Sequence, residues 1–221
     1  MIEYERHIEW YADHWQKHFI QPPYNADWGN RSLAEEYLKK YWLSSTEFEQ
    51  KWRPLKEQIF RTQPRGLPAW FSAEYEMTAW IGGGLFFQKD FEDLQSCFLR
   101  TGDRQFVVIE NSFYGTPQEP PLRLRYPVDI SWSELTSGNY ISAILCFATH
   151  KEYFVFGDSA KWGKYAASDQ MLCPFNLVGF MPERRSIFRE KFKTTPKTMK
   201  ELSEDLPEAD FHLISSICLS G

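Results

Sequence analysis

The residues with the clearest chemical potential are Gly157-Asp158-Ser159, which directly follow the apolar run Tyr153-Phe154-Val155-Phe156. A serine at the end of a buried strand can act as a nucleophile. It then needs a histidine to take its proton, a carboxylate to orient that histidine, and donors that receive the oxyanion. The only histidine downstream is His212, which follows 53 residues later. A catalytic role for Ser159 therefore depends on what those 53 residues can form.

This block resembles the nucleophile block of the GDSL-type (SGNH) serine hydrolases. In that family the block stands near the beginning of the catalytic domain, and an Asp-x-x-His block closes it. Here the residue three positions before His212 is Ala209, and the chain between Ser159 and His212 is too short for the doubly wound sheet of that family. We therefore reject this hydrolase class.

A β-hairpin explains the same residues. Tyr153 to Phe156 and Lys164 to Ala167 have strand composition, and the segment between them contains two glycines and an aspartate. Asp158 and Ser159 can bond the turn backbone, and Trp162 can cap the hairpin. If Trp162 is instead exposed beside Lys161, the loop is a candidate contact surface, because an exposed tryptophan is an effective binding anchor.

Histidines offer a second candidate site. His7, His14 and His18 lie close together on one face of a predicted helix, and the last two are one turn apart. Such a pair can bind a metal ion, but a specific site needs further ligands, and no HExxH pattern is present. We expect packing roles for these histidines and predict no metal.

The glycines and cysteines show no pattern typical of a cofactor site. Gly82-Gly83-Gly84 lies outside any GxGxxG or GxxxxGK[ST] pattern, so we predict no nucleotide cradle and no cofactor. The four cysteines, Cys97, Cys146, Cys173 and Cys218, form no CxxC pair and indicate thiols of a reducing compartment.

Composition and charge restrict the environment and the partners. The net charge of −5 gives no general attraction to nucleic acid or anionic membranes, and the basic run from Arg184 to Lys200 is typical of a solvated helix or loop. The first ten residues lack an apolar signal core, and no run of 18 apolar residues occurs. We expect a cytoplasmic protein without membrane segments. Aromatic residues make up 17% of the chain, which favours a dense core of rings.

The chain divides into a helical segment, residues 1–62, and an α+β core, residues 63–221, of a single domain. Helices are predicted over residues 1–20, Ser32 to Leu43, and from Ser44 past Pro54, which should kink or divide the third helix. Strands grouped after grouped helices indicate an α+β fold, in which N-terminal helices pack on a mainly antiparallel sheet. The predicted strands are Leu85–Phe87, Phe106–Glu110, Leu122–Tyr126, Tyr140–Ala148, Tyr153–Phe156, Lys164–Ala167 and Phe175–Phe180. Further helices are predicted over Phe91–Leu99 and Thr198–Glu204, and the end Phe211–Leu219 is a strand or a short helix.

A family resemblance adds a functional expectation. Gly66-Leu67-Pro68-Ala69-Trp70-Phe71 followed by Gly82-Gly83-Gly84 resembles the Leu-Pro entry and Gly-Gly turn of SUKH-type bacterial immunity proteins, and Tyr153 to Asp169 looks like their later paired strands. The position before the paired glycines, an asparagine in that family, is Ile81 here. The resemblance implies a non-enzymatic α+β domain whose partner is a protein, a bacterial toxin. The candidate binding residues are Trp70, Trp80, Asp158, Lys161 and Trp162.

Two alternatives stay open. One is a small-molecule or carbohydrate-binding protein with a pocket lined by Trp70, Trp80, Trp132 and Trp162. The other is an enzyme of unrecognised type, built on Glu110, Asp158 and Asp169 if those acids converge.

Overall fold

The computed structural model describes residues 2–9, 31–62, 69–81, 85–111, 121–138, 140–147, 152–167, 175–205, 208, 211–212 and 215. The helices within these ranges are α1 (residues 3–9), α2 (Arg31–Tyr41), α3 (Ser45–Glu47), α4 (Arg53–Ile59), α5 (Gln88–Thr101), α6 (Trp132–Leu135), α7 (Tyr140–Phe147), α8 (Arg185–Lys191) and α9 (Pro196–Asp205). A π-helical turn (Phe48–Trp52) and a 3-10 turn (Pro182–Arg184) precede α4 and α8. The strands are β1 (Phe60–Thr62), β2 (Ala69–Phe71), β3 (Glu76–Ile81), β4 (Gln105–Asn111), β5 (Arg123–Pro127), β6 (Glu152–Gly157), β7 (Trp162–Ala167) and β8 (Phe175–Phe180).

Six of the strands form one antiparallel sheet in the order β3-β8-β7-β6-β4-β5. The predictions for β4 to β8 are confirmed, and with them the α+β fold. Every residue of β6 is buried, because helices or loops cover both faces of the sheet. This explains why the run Tyr153-Phe154-Val155-Phe156 within the strand is continuously apolar rather than alternating. β1 and β2 form a separate two-stranded ribbon, which places the predicted boundary at residues 62 and 63 inside the β1–β2 unit.

Two strand predictions are wrong. Tyr140–Ala148 was expected as a strand, but residues Tyr140–Phe147 form α7, with Ile141, Ile144 and Leu145 buried. A short apolar run fits a buried helix as well as a buried strand, so its periodicity cannot separate the two. Leu85–Phe87 is an irregular segment that leads into α5, and the Phe86 N–H donates to the Leu145 carbonyl at 3.0 Å.

Helix predictions agree more closely with the structure. The predicted helices within Ser32–Leu43, Phe91–Leu99 and Thr198–Glu204 correspond to α2, α5 and α9. α5 ends at Gly102, whose φ of 84° is the left-handed conformation typical of a helix C-terminus. Most of the predicted helix over residues 1–20 and most of Phe211–Leu219 lie outside the described residues.

Two buried clusters lie on opposite faces of the sheet. Alternate side chains of β6 divide between them, because successive residues of a strand point to opposite faces. Tyr153 and Val155 join the cluster that includes residues of α2, α5, α7 and α8, whereas Phe154 and Phe156 join the cluster under α3, α4 and the β1–β2 ribbon.

The segment from α3 to α4 positions the groove described below. Ser44 begins it, because its hydroxyl accepts the Glu47 N–H at 3.2 Å. Pro54 has no N–H for the carbonyl one turn earlier, and the chain forms a wide π turn immediately before it. The third helix was predicted to kink or divide at Pro54, and it divides at the π turn just before that proline.

Candidate functional site

The Gly157-Asp158-Ser159 block is a structural clasp for the β6–β7 hairpin. The Asp158 carboxylate accepts the Arg104 N–H at 3.0 Å, and the Ser159 N–H donates to the Asp103 carboxylate at 2.7 Å. The Ser159 hydroxyl itself accepts the Lys161 N–H at 3.2 Å. Each polar group of the block therefore has a turn-forming role, as the hairpin prediction requires.

Gly157 is needed for the approach of Asp103. A Cβ atom at position 157 would lie 2.2 Å from the Asp103 Oδ1 atom, far inside van der Waals contact. The glycine of this motif thus serves the packing of a buried carboxylate against a strand.

Trp162 is fully buried, so the structure does not present it as an exposed contact residue. Its ring stacks on Phe98 with centroids 5.2 Å apart, and its indole N–H donates to Asp103 Oδ2 at 2.9 Å. The capping alternative is the one that the structure supports. Lys161 and Asp158 remain half-exposed at the hairpin turn.

The four tryptophans of the pocket alternative include two that belong to the core layer around α5. Trp162 contacts Phe98, and Trp132 packs against Phe91 with centroids 5.8 Å apart. Trp70 lies in β2 opposite Arg61, and Trp80 lies in β3 opposite Asn176. The side chains of Trp70 and Trp80 lie outside the described part of the molecule.

The acids of the enzyme alternative are far apart where they can be located. Glu110 pairs with Tyr153 at one end of β6, and Asp158 follows Gly157 at the other. At about 3.3 Å per residue the two acids are separated by roughly 17 Å along the strand direction. Asp169 lies outside the described residues.

The described histidine of the predicted trio is a core residue. His7 is buried, and its Nδ1 atom is 2.9 Å from the Tyr140 hydroxyl. His14 and His18 lie outside the described ranges. Within those ranges, no group of three or more His, Cys, Asp or Glu side chains could hold a metal ion, and no helix is long and apolar enough to cross a bilayer.

The basic run from Arg184 to Lys200 is partly helical and forms ion pairs with other elements. Arg185 and Arg189 approach Glu76 of β3, and Lys191 lies 3.6 Å from Asp93 of α5. These contacts attach α8 to the sheet edge and to α5, which is a structural use of the charge.

A groove with a volume of about 290 Å³ lies on the face covered by α4. Its floor includes the rings of Phe48, Phe60 and Phe154, and its polar lining is supplied by α4, β1, β4 and β5. The full set of lining residues is Phe48, Arg53, Lys56, Glu57, Phe60, Arg61, Ile109, Glu110, Asn111, Pro121, Arg123 and Phe154. Four basic side chains therefore face two acids, an excess of two positive charges in a chain whose net charge is −5.

Arg123 reaches this groove because its strand is covered on both sides. The alternation Leu122-Arg123-Leu124-Arg125-Tyr126 predicted a strand with one buried and one wet face. Its apolar side chains are buried as predicted, but its arginines are half-buried, because α3 and the π turn cover that face. Arg125 donates to both carboxylate oxygens of Glu47 at 2.5 and 2.6 Å.

Aromatic rings contact three of the groove cations, and Arg53 Cζ lies 5.5 Å from the centroid of the Phe48 ring. Lys56 Nζ lies 4.1 Å from the centroid of the Phe154 ring, and Arg123 Cζ lies 4.6 Å from that of Phe48. The negative ring face attracts a cation, and the attraction grows as water is excluded. Burial lowers the pKa of Lys56, and the positive charges of Arg53 and Arg123 lower it further, against the opposing effect of Glu57. Burial also lowers the pKa of Arg123.

The groove residues were not among the predicted binding residues. They come from a helix, a two-stranded ribbon and three strands of the sheet, and their positions in the chain have no common spacing. The only sequence signal was the pair of arginines on an otherwise apolar strand. No family model, curated protein or solved structure matches this chain.

Proposed function

We propose that this protein is a binding module for another protein, and that the groove between α4 and the sheet belongs to its contact surface. The observation that carries the proposal is the excess of positive charge in a concave site of an acidic chain. Charges placed against the general sign of a protein surface favour a partner of complementary charge and fix its orientation.

The structural use of the Gly157-Asp158-Ser159 block supports binding over hydrolysis. Asp103 and the Lys161 backbone engage Ser159, and Asp158 receives the N–H of Arg104. The separation of Glu110 from Asp158 along β6 supports the same preference, because general acid and base groups must reach one substrate.

The specific form that we propose is an immunity-type protein of the cytoplasm that neutralises a bacterial toxin. It rests on the SUKH-type resemblance of residues 66–71, 82–84 and 153–169. A reducing compartment agrees with the free thiols of Cys97 and Cys146. Burial raises the pKa of Cys97 to about 12, so this thiol is suited to packing rather than to redox chemistry.

The test is a pull-down of the full chain with the product of a toxin-like gene adjacent to its own, together with protection of cells on co-expression. Arg61→Glu, in the groove, should weaken the complex at least tenfold. Arg104→Glu changes another exposed arginine, which precedes β4 at the end away from the groove, and is the matched control. If the wild-type chain gives no complex and no protection, the proposal is refuted.

A further inference from the structure

Lys56 and Arg123 differ from the other two cations of the groove because they are half-buried, whereas Arg53 and Arg61 are exposed. Burial lowers the pKa of Lys56, and the positive charges of Arg53 and Arg123 lower it further, as expected for like charges that line one groove. Two like charges that are partly removed from water are stabilised most effectively by an anion placed between them.

Glu57, which follows Lys56 in the chain, is exposed and opposes the lowering of the Lys56 pKa, and three further acids near the pair are engaged elsewhere. Glu49 pairs with Arg53, Glu3 accepts the Ser45 N–H at 2.9 Å, and Glu110 accepts the Leu122 N–H at 3.0 Å. Within the ranges that the structure describes, neither Lys56 nor Arg123 has an ion-pair partner.

Arg123 also has donors available for a ligand. One of its five N–H groups donates to the Ser45 hydroxyl at 2.9 Å, and the Phe48 ring lies against the guanidinium. A guanidinium held in this way is pre-organised, because little side-chain entropy is lost when a further hydrogen bond forms.

We infer that Lys56 and Arg123 form a carboxylate-binding site, and that its occupant is an Asp or Glu side chain of an acidic segment of the partner protein. This inference rests on the proposed function. The groove volume of about 290 Å³ is at the lower end of the range for small-ligand pockets and suits one side chain rather than a large metabolite. A planar carboxylate matches the fork of Arg123, while Lys56 supplies a point charge.

The exposed arginines of the groove extend this recognition. Arg53 and Arg61 lie on either side of Lys56 in the chain and line the same groove. A segment with several consecutive acids would place one carboxylate at the half-buried pair and its neighbours near these arginines. The exposed contacts should be sensitive to salt, whereas the half-buried contact should be less so.

The direct test is calorimetric titration of the full chain with hexaglutamate, with hexaglutamine as the neutral control and inorganic phosphate as a second anion. The wild-type chain should bind hexaglutamate and show no heat with hexaglutamine. Arg123→Gln should weaken hexaglutamate binding at least tenfold. Arg125→Gln is the matched control, because Arg125 lies on the same strand and is half-buried but pairs with Glu47. It should bind hexaglutamate like the wild type.

Lys56→Met provides a second, independent variant, since it keeps an unbranched side chain of similar length and removes the charge that lies over the Phe154 ring. It too should weaken hexaglutamate binding at least tenfold, which keeps the test decisive if Arg123→Gln does not fold. Equal weakening by Arg123→Gln and Arg125→Gln would overturn the inference. Binding of phosphate without binding of hexaglutamate, or binding of neither, would also overturn it.

A pull-down separates this inference from the proposed function. A partner complex that forms with the wild type and is unchanged by Arg123→Gln and Lys56→Met would overturn the carboxylate site and leave the proposed function standing. If hexaglutamate binding depends on Arg123 but the chain captures no partner protein, the proposed function is refuted and the carboxylate site stands.

Discussion

Asp103 and Trp162 are joined by a 2.9 Å hydrogen bond in the interior, from the indole N–H to the carboxylate. The bond connects the turn after α5 to the first residue of β7. Because the same carboxylate also accepts the Ser159 N–H, Asp103 determines the conformation of the hairpin turn that contains the Gly157-Asp158-Ser159 block.

Replacing Asp103 should destabilise the fold much more than replacing Ser159. Asp103→Ala leaves the buried indole N–H of Trp162 and the half-buried N–H of Ser159 without an acceptor. We expect a loss of about 2–4 kcal/mol in the free energy of unfolding, since each unsatisfied buried group costs about 1–3 kcal/mol. Urea denaturation measures the loss. Ser159→Ala removes one acceptor of a half-exposed turn and should cost less than about 1 kcal/mol. A larger loss of unfolding free energy for Ser159→Ala than for Asp103→Ala would contradict the role of Asp103 in holding the hairpin turn.

Two glycine-to-alanine substitutions separate steric exclusion from backbone strain. Gly157→Ala should cost about 3 kcal/mol, because the new Cβ would overlap the Asp103 carboxylate. Gly102→Ala has open space around the new Cβ but keeps a positive φ of 84°, which costs about 1 kcal/mol. Thermal and urea unfolding of both variants provide the comparison. In the Asp103→Ala background the cost of Gly157→Ala should fall, and full additivity of the two changes would argue against a direct overlap.

Lys164 makes the stability depend on pH. It is fully buried, donates to the Leu85 carbonyl and lies 4.9 Å from the Phe86 ring centroid. Burial lowers its pKa to about 7. The pKa of a lysine in the unfolded chain is about 10.4. Between these two pKa values the unfolded chain therefore binds a proton that the folded chain does not. This penalty is fully present below pH 7, decreases as pH rises, and disappears above about pH 10.4.

Lys164→Met should therefore be more stable than the wild type at neutral pH, and its advantage should shrink by about 1 kcal/mol per pH unit between roughly pH 8 and 10. Urea denaturation of both chains at several pH values measures this difference, from which other titrating groups cancel. A difference independent of pH would show that Lys164 keeps an ordinary pKa in the folded protein.

The ion pair between Arg125 and Glu47 should stabilise the fold, whereas the charge of Arg123 should contribute little to the free energy of unfolding. Arg125→Gln breaks a half-buried pair with two short hydrogen bonds and should lower the free energy of unfolding by about 1–3 kcal/mol. Arg123→Gln relieves the repulsion with Lys56 and should change stability by less than about 1 kcal/mol. Unfolding curves measured side by side give both values, and a strongly destabilised Arg123→Gln chain would assign Arg123 a structural role.

Local chemistry made several elements predictable. The start of the third helix at Ser44 and its break at Pro54 each depend on neighbouring backbone groups alone, and each appears where the sequence predicts it. The β6–β7 hairpin was predictable for the same reason. Tyr140–Phe147 was not, because a uniformly apolar run contains no periodicity that distinguishes a helix from a strand once both are buried.

Composition and the order of short segments were sufficient to predict the α+β class and the hairpin after Phe156, because both depend on local residue types. The burial of Trp162 and the position of Lys56 and Arg123 in one groove depend instead on how distant segments pack. Lys56 and Arg123, 67 positions apart, come together because α4 packs on the sheet to which β5 belongs. That packing arises from the burial of rings such as Phe48 and Phe154, a non-directional force that leaves no spacing motif in the chain.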